Sequence, residues 1–344
     1  MNEVHVVVPD GIDDPRRPSG GNVYDRRVCR GLAALGWSVH EHTVRGGWPL
    51  PDAQAESAVA AALARMPSGS VVLVDGLVAS VVPEMLEPEA GRLRIVVLLH
   101  MPRNEPRESA ALSAASAIVA TSEWTRRLLR DHYLLTGTPV YVVPPGVDAA
   151  EVAAGTPTGG RLLCVAGVTP LKGHDLLLDA LATVDDPGWQ CVCVGALDLD
   201  PEFVTRLRRL ARDRGLGDRV CFTGPLMGDE LDRAYAEADA LVLASRAETY
   251  GMVVTEALAR GLPVIAVEVG GVPEALGHAA DGTRPGLLVP PDDPQSLGRT
   301  LTRWLGDPRK RERLRAAARS RRQSLRDWAQ TSRELSAVLS EVSG

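Results

Sequence analysis

The stretch Ala240-Leu-Val-Leu243-Ala-Ser-Arg246-Ala-Glu248-Thr-Tyr250-Gly251-Met252-Val-Val-Thr-Glu256-Ala-Leu-Ala-Arg260-Gly261-Leu-Pro263-Val264-Ile-Ala-Val267 decides how the chain is read. Ala240–Leu243 is apolar throughout rather than alternating, which is the pattern of a strand covered on both faces. A polar loop follows. The segment from about Gly251 to Arg260 then has helical length, with Gly261 as its C-terminal stop and Pro263 opening a second apolar strand. Two strands joined through a helix must run parallel, so this stretch is one βαβ unit.

The same unit recurs outward in both directions. Strand-like runs stand at Val4–Val8, Ser38–His42, Val71–Val74, Ile95–Leu99, Ala117–Ala120 and Val140–Val143 in the first half. The second half has Leu162–Val165, Gln190–Val194, Val220–Phe222, Ala240–Leu243, Val264–Val267 and Gly286–Val289. Segments of helical length separate most neighbours, which predicts parallel sheets with helices on both faces. The expectation is an α/β protein of two Rossmann-like doubly wound domains. Pro144–Gly160, punctuated by Pro and Gly, is the expected boundary. The first domain then spans 1–150 and is joined by a C-terminal helix at about 326–344; the second spans 160–325.

Composition excludes several classes. The 344 residues allow two domains and little more. A formal charge of −6 argues against bulk nucleic-acid binding. No apolar run reaches the ~18 residues of a membrane span, and the N-terminus lacks a basic segment followed by an apolar one, so the expected location is cytoplasmic. Five scattered cysteines read as buried free thiols rather than a disulfide framework or a zinc site. Of 38 basic residues only Lys172 and Lys310 are lysines. Arg309–Arg322 carries a net +7 and leaves −13 for the rest. It reads as a solvated helix face, with a weak peripheral membrane contact left open.

Three features carry chemistry. Gly20-Gly21, between the first strand and its helix, either lets a backbone approach a ligand beside free helix amides or is a flexible Gly-rich turn. Lys172 stands at the start of the helix after Leu162–Val165, where a cation is unfavourable unless something negative compensates it; a diphosphate would. Glu248 lies in the loop before the Gly251–Arg260 helix, and Glu256 over one turn into it among apolar neighbours. Glu256 either pairs with Arg260 at i, i+4 or joins Glu248 in gripping hydroxyl groups. The amides of Tyr250, Gly251 and Met252 would hold phosphate oxygens between them. His100 follows the strand Val96–Leu99 and either satisfies backbone groups at the strand end or meets a ligand there, where parallel sheets bind ligands. His174 reads as helix surface.

Glu248, seven residues and Glu256, within Glu-Thr-Tyr-Gly-Met-Val-Val-Thr-Glu-Ala, resemble the paired-glutamate motif of glycosyltransferase family 4, retaining enzymes of the GT-B fold. Ser19-Gly-Gly-Asn-Val-Tyr24, His100, Val143-Pro-Pro-Gly-Val-Asp148, Thr169-Pro-Leu-Lys-Gly-His-Asp175, Phe222-Thr-Gly-Pro-Leu226 and Gly270-Gly-Val-Pro-Glu274 agree in order and spacing. The resemblance implies two such domains facing a central cleft. It implies that Glu248 binds hydroxyls of the donor sugar, Glu256 the ribose, and Tyr250, Gly251 and Met252 sugar and phosphate through their amides. Lys172 would neutralise the leaving diphosphate and His100 contact the transferred sugar. Leu226, with neighbouring Gly224, would line the base pocket. Gly20 and Gly21 would face the donor phosphate or the acceptor. One departure stands out: the arginine the family places near this lysine is absent, Gly167 and Leu171 occupying the candidate positions. Arg246 and Arg103 are the candidates to replace it.

The implied reaction is transfer of a hexosyl-type group, with retention, from a UDP- or GDP-linked sugar to an acceptor hydroxyl of a small molecule or lipid. The catalytic set would be His100, Lys172 and Glu248. Asp198-Leu-Asp200 reads as a helix-start turn, so neither a metal nor a bound cofactor is expected. The chain would act as monomer or homodimer. The alternatives are a nucleotide-sugar-binding protein with weak or no transfer and a GT-B sugar-nucleotide epimerase.

Overall fold

The computed structural model of the chain describes residues 2–133, 135 and 137–344. Two compact units form. The first comprises Met1–Asp13, Gly20–Gly146 and Arg326–Gly344; the second comprises Asp14–Ser19 and Val147–Leu325. The sequence reading assigns Asp14–Ser19 to the first domain. It clusters instead with the second unit, where Arg17 Nε donates to Asp198 at 3.1 Å.

The first unit carries β1 (Glu3–Pro9), β2 (Ser38–Val44), β3 (Val71–Asp75), β4 (Arg94–Leu99), β5 (Ala117–Ala120) and β6 (Val140–Val142). They form one parallel sheet in the order β2-β1-β3-β4-β5-β6. Every residue of β3 and β5 is buried, as expected for strands covered on both faces. One face packs Val7, Val72, Val74, Ile95 and Val97; the other packs Val4, Val6, Leu73, Val96 and Leu98. The helix Gly20–Ala34 and the terminal helix Trp328–Ser343 cover the second face, through Tyr24, Val28 and Leu32 from one and Leu335, Val338 and Leu339 from the other. The terminal helix is fastened at Thr331, whose hydroxyl donates to the Pro144 carbonyl at 2.9 Å, and at Ser336, which accepts from Trp37 Nε1 at 2.8 Å.

The second unit carries β7 (Arg161–Val165), β8 (Gln190–Val194), β9 (Val220–Gly224), β10 (Ala240–Leu243), β11 (Val264–Val267) and β12 (Gly286–Val289). The order is β12-β11-β10-β7-β8-β9, again parallel. In each sheet the first strand lies between strands reached by opposite crossovers. That reversal is the topological switch point, where the loops at strand C-termini diverge and leave a crevice. It falls between β1 and β3 in the first unit and between β7 and β10 in the second.

Two expectations fail here. The helix Pro308–Arg322 is not a solvated charge face. Arg311 is buried and donates to the carbonyls of Trp304 (2.8 Å), Leu305 (2.5 Å) and Pro157 (3.0 Å). Arg315 donates to the fully buried Asp239 at 2.6 Å, and Arg322 to the Ala259 and Ala150 carbonyls at 2.7 Å each. These arginines satisfy carbonyls at helix ends (Trp304, Leu305, Ala259) and in the linker (Ala150, Pro157), and the fully buried Asp239 carboxylate. The cysteines are free, but Cys221 is exposed because β9 is an edge strand. No helix among the described residues is long and apolar enough to cross a membrane.

Candidate functional site

In the second unit Lys172 and Glu248, from the loops after β7 and β10, meet at the switch point. After β7 the chain makes a short 3-10 turn, Pro170–Lys172, and Gly173 then starts the helix His174–Leu181. Gly173 has φ +65°, and a Cβ there would stand 1.9 Å from the Ala244 carbonyl oxygen, so only glycine lets this loop lie against the one after β10. The Arg246 amide donates to the Leu171 carbonyl at 2.8 Å and ties the two loops together. Lys172 Nζ consequently reaches Glu248 Oε1 at 2.7 Å, and the Ser245 hydroxyl donates to the same oxygen at 2.8 Å. The compensating charge that Lys172 requires is Glu248. The Glu248 backbone is pinned from the other side by Gly271, whose amide donates to its carbonyl at 2.9 Å. Gly270, at φ +55°, leaves no room for a side chain: a Cβ would sit 1.7 Å from the Glu248 carbonyl oxygen.

Gly251, at φ +89°, begins the helix Met252–Ala259, so its first-turn amides stand just beyond Glu248; the Val254 amide donates to the Gly251 carbonyl at 2.9 Å. Tyr250 is buried in the core and Met252 half-buried. Glu256 is also half-buried, and its carboxylate accepts from the Tyr235 hydroxyl at 2.7 Å. The i, i+4 side-chain pair with Arg260 is not what forms: Arg260 donates to the Glu256 backbone carbonyl at 3.0 Å and to Asp232, and stacks over the Tyr235 ring at 4.4 Å. Burial raises the Glu256 pKa, while the Tyr235 hydroxyl and the Arg260 charge pull it back. Glu248 and Glu256 thus take different partners. Gly224 closes β9 at φ +84°, and Leu226 beyond it packs on the core below.

The replacement cation does not stand free. Arg246 forms a two-pronged bridge to Asp175 (2.9 and 2.7 Å) and donates to the Pro170 carbonyl at 2.6 Å. Arg103 donates to Glu105 at 2.9 Å in the first unit. His174 is not helix surface. It is 1% exposed, with Nε2 3.8 Å from the Cys164 sulfur and its ring tilted against Phe222, because the tight turn at Gly173 directs the helix start onto the sheet. Asp200 caps a helix by accepting from the Phe203 amide at 2.8 Å, the role expected of Asp198-Leu-Asp200.

In the first unit Gly20 and Gly21 open the helix Gly20–Ala34, and a Cβ on Gly21 would meet the His100 ring at 3.0 Å. His100 follows β4, its ring edge-on to Tyr24 at 5.3 Å between centroids. Its Nε2 lies 2.7 Å from Asp25 Oδ1. Asp75 ends β3, and its Oδ1 accepts from the Leu77 amide at 2.6 Å. Ligand atoms of Asp25, Asp75 and His100 all fall within 4.8 Å of one another, as do those of Cys164, His174 and Cys193. Burial pushes the Asp25 carboxyl up to about 7 and that of Asp75 well above the usual range, and it lowers His100.

Four residues here escape the sequence reading: Ser245, Tyr235, Asp25 and Asp75. Asp75 had a signal, since it closes an apolar parallel strand beside the switch point. Ser245 had one too, the Ser-x-x-Glu spacing to Glu248. Asp25 and Tyr235 had none, because their partners lie 75 and 21 residues away with no pattern to link them.

Residues 154–321 match the family model of glycosyl transferases group 1, and residues 86–151 that of glycosyltransferase family 4. The D-inositol 3-phosphate glycosyltransferase of Jonesia denitrificans is 34% identical over 259 residues, covering 68% of this chain and 60% of that protein. Its counterpart from Frankia alni is 35% identical over 244 residues, 66% of this chain and 59% of that one. The chain thus spans about 60% of the length of these relatives. Among solved structures, sucrose-phosphate synthase from Thermosynechococcus elongatus aligns with a TM-score of 0.79 at 23% identity, over 99% of both chains. Anabaena HepE in complex with UDP-glucose aligns with a TM-score of 0.77 at 18% identity, over 99% of this chain and all of that one. These likenesses show the fold, two Rossmann-like units of the GT-B class.

Proposed function

We propose that this chain is a retaining glycosyltransferase of family 4. In this reading it moves a hexosyl-type group from a UDP- or GDP-linked sugar to an acceptor hydroxyl, without a metal. The observation that carries the reading is the Lys172–Glu248 pair at the switch point of the second unit, followed directly by the N-terminus of the helix Met252–Ala259. A cation, a carboxylate and a helix N-terminus in one crevice fit a diphosphate joined to a polyol. The matches to two glycosyltransferase models and to named glycosyltransferases support it independently.

When donor binds, Lys172 exchanges Glu248 for the diphosphate, and Glu248 turns its freed oxygen to the sugar hydroxyls. Glu256 takes the ribose, with Tyr235 holding the carboxylate in place. Gly224 and Leu226 border the base, and Tyr250, Gly251 and Met252 supply amides. Gly20, Gly21 and His100 keep the roles the resemblance implies, His100 toward the transferred sugar. Catalysis then rests on positioning and on stabilising the leaving phosphate, whose oxygen accepts the acceptor's proton on the same face. Arg246 contributes the second positive charge only if it leaves Asp175.

That bridge favours a second reading, a nucleotide-sugar-binding protein with weak transfer, since Gly167 and Leu171 supply no other cation. A panel of UDP- and GDP-sugars scored by thermal shift, then by nucleotide release with and without D-inositol 3-phosphate or other polyol acceptors, tests both. Transfer that survives EDTA and is abolished by Glu256→Ala is expected. Donor binding without acceptor-dependent release selects the second reading, and no donor binding refutes both.

A further inference from the structure

Asp25 and Asp75 are almost fully buried, 2% and 3% exposed, yet they come from different elements and meet at the switch point of the first unit. Asp75 spends one oxygen on the Leu77 amide. Asp25 spends Oδ1 on His100 Nε2, and its Oδ2, also buried, has no hydrogen-bonding donor. The nearby cation, Arg26, is engaged by Asp13 and Glu41. The carboxylate oxygens lie within 4.8 Å of one another. Burial and like charge disfavour ionising both, and one proton between them satisfies the orphaned oxygen and halves the buried charge. A shared metal ion fits less well: two ligands on a zinc-sized ion with ~2.0–2.1 Å bonds stand about 3 Å or more apart, whereas the His100–Asp25 distance of 2.7 Å is that of a hydrogen bond.

We propose that Asp25 and Asp75 hold one proton between them, and that this singly charged pair fixes His100 as the Nε2–H tautomer. Asp25 accepts the Nε2–H. The other ring nitrogen, Nδ1, is left as a lone-pair acceptor. A neutral imidazole presenting a lone pair takes a hydrogen-bond donor and repels a phosphate oxygen. The group it selects is therefore a donor, such as a polyol hydroxyl, rather than a phosphate oxygen. Identifying that polyol with the transferred sugar or its acceptor rests on the glycosyltransferase reading above; the tautomer does not. Asp25 and Asp75 are positioning residues, acting through His100.

The test uses the full chain labelled with ¹⁵N-histidine, the His100 signals being assigned by their loss in His100→Gln. At pH 7 the proposal expects one protonated Nε2 and one unprotonated Nδ1. It also expects an infrared band of a protonated carboxylic acid that Asp25→Asn removes. An asparagine can accept from His100 and donate to Asp75, so Asp25→Asn keeps the tautomer, while Asp25→Leu gives a mixture. An Nδ1–H tautomer, an imidazolium in the wild type, or no protonated-acid band overturns the proposal. So does an unchanged tautomer in Asp25→Leu; if that variant does not fold, the wild-type spectra and Asp25→Asn still decide. In turnover with UDP-sugar, Asp25→Asn is expected within about threefold of wild type and Asp25→Leu at least tenfold lower in kcat/KM. The expected tautomer together with no nucleotide-sugar binding by wild type refutes the glycosyltransferase reading and leaves the pair standing.

Discussion

Lys172→Met removes one charge and keeps the length of the side chain. In the folded protein Nζ is 2.7 Å from Glu248 Oε1, with 23% of the lysine and 10% of the glutamate side chain exposed. The variant strands Glu248 with the Ser245 hydroxyl as the remaining donor to that oxygen. Breaking a fully buried pair costs about 3–5 kcal/mol and an exposed one about 0–1 kcal/mol. A pair exposed to this degree falls between, at about 2 kcal/mol, or about 4–8 °C in Tm for a unit of this size. Glu248→Gln in the same background removes the stranded charge, so the double variant recovers most of the loss. Calorimetry on wild type, Lys172→Met, Glu248→Gln and the double variant measures the coupling. A single-variant loss under about 0.5 kcal/mol, or a double variant no better than Lys172→Met, refutes the reasoning. In turnover, Lys172→Met is expected to lower kcat at least ~10-fold, about 1.4 kcal/mol of lost leaving-group stabilisation.

Other outcomes follow from the same geometry. Gly270→Ala places a Cβ on the Glu248 carbonyl at a left-handed backbone position; a loss above ~3 kcal/mol or insoluble protein is expected, and a wild-type Tm contradicts the loop geometry. Burial raises the Glu256 pKa, so its contribution to stability is complete below the ordinary carboxyl value and is lost as pH rises through the raised one. The Tm of Glu256→Gln minus that of wild type should therefore grow with pH across that window and then level off; a constant difference from about pH 4 to 8 argues against a raised pKa. Arg315→Met removes a donor from the fully buried Asp239 and should cost about 2–4 kcal/mol, whereas Arg313→Met, on the exposed side of the same helix, should stay within about 0.5 kcal/mol. Equal effects of the two in urea unfolding would restore the solvated-face reading.

The strands and their parallel pairing were legible because apolar runs separated by helical segments admit few arrangements. Thus Ala240–Leu243 and Val264–Val267 appear as expected, joined by a helix that Gly251 starts and Gly261 follows. The candidate site was legible only where residues sit close in sequence to a strand end, as Lys172, Glu248 and His100 do. Partnerships were not. Of the two partners open to Glu256, its carboxylate takes neither the Arg260 side chain nor Glu248; the Tyr235 hydroxyl, from another helix, donates to it instead. His174 went inward because a glycine turn redirected its helix, which charge and spacing do not encode.

The sequence by itself therefore determined two doubly wound units and the strand ends where chemistry can gather, since hydrophobic period and glycine placement are local properties. The tertiary structure alone decided which charges compensate one another. It sent Lys172 to Glu248, Arg246 to Asp175, Arg315 to Asp239, and Asp25 to His100. The reason is that removal from water makes each buried charge seek a partner, and folding sets which partner lies within reach.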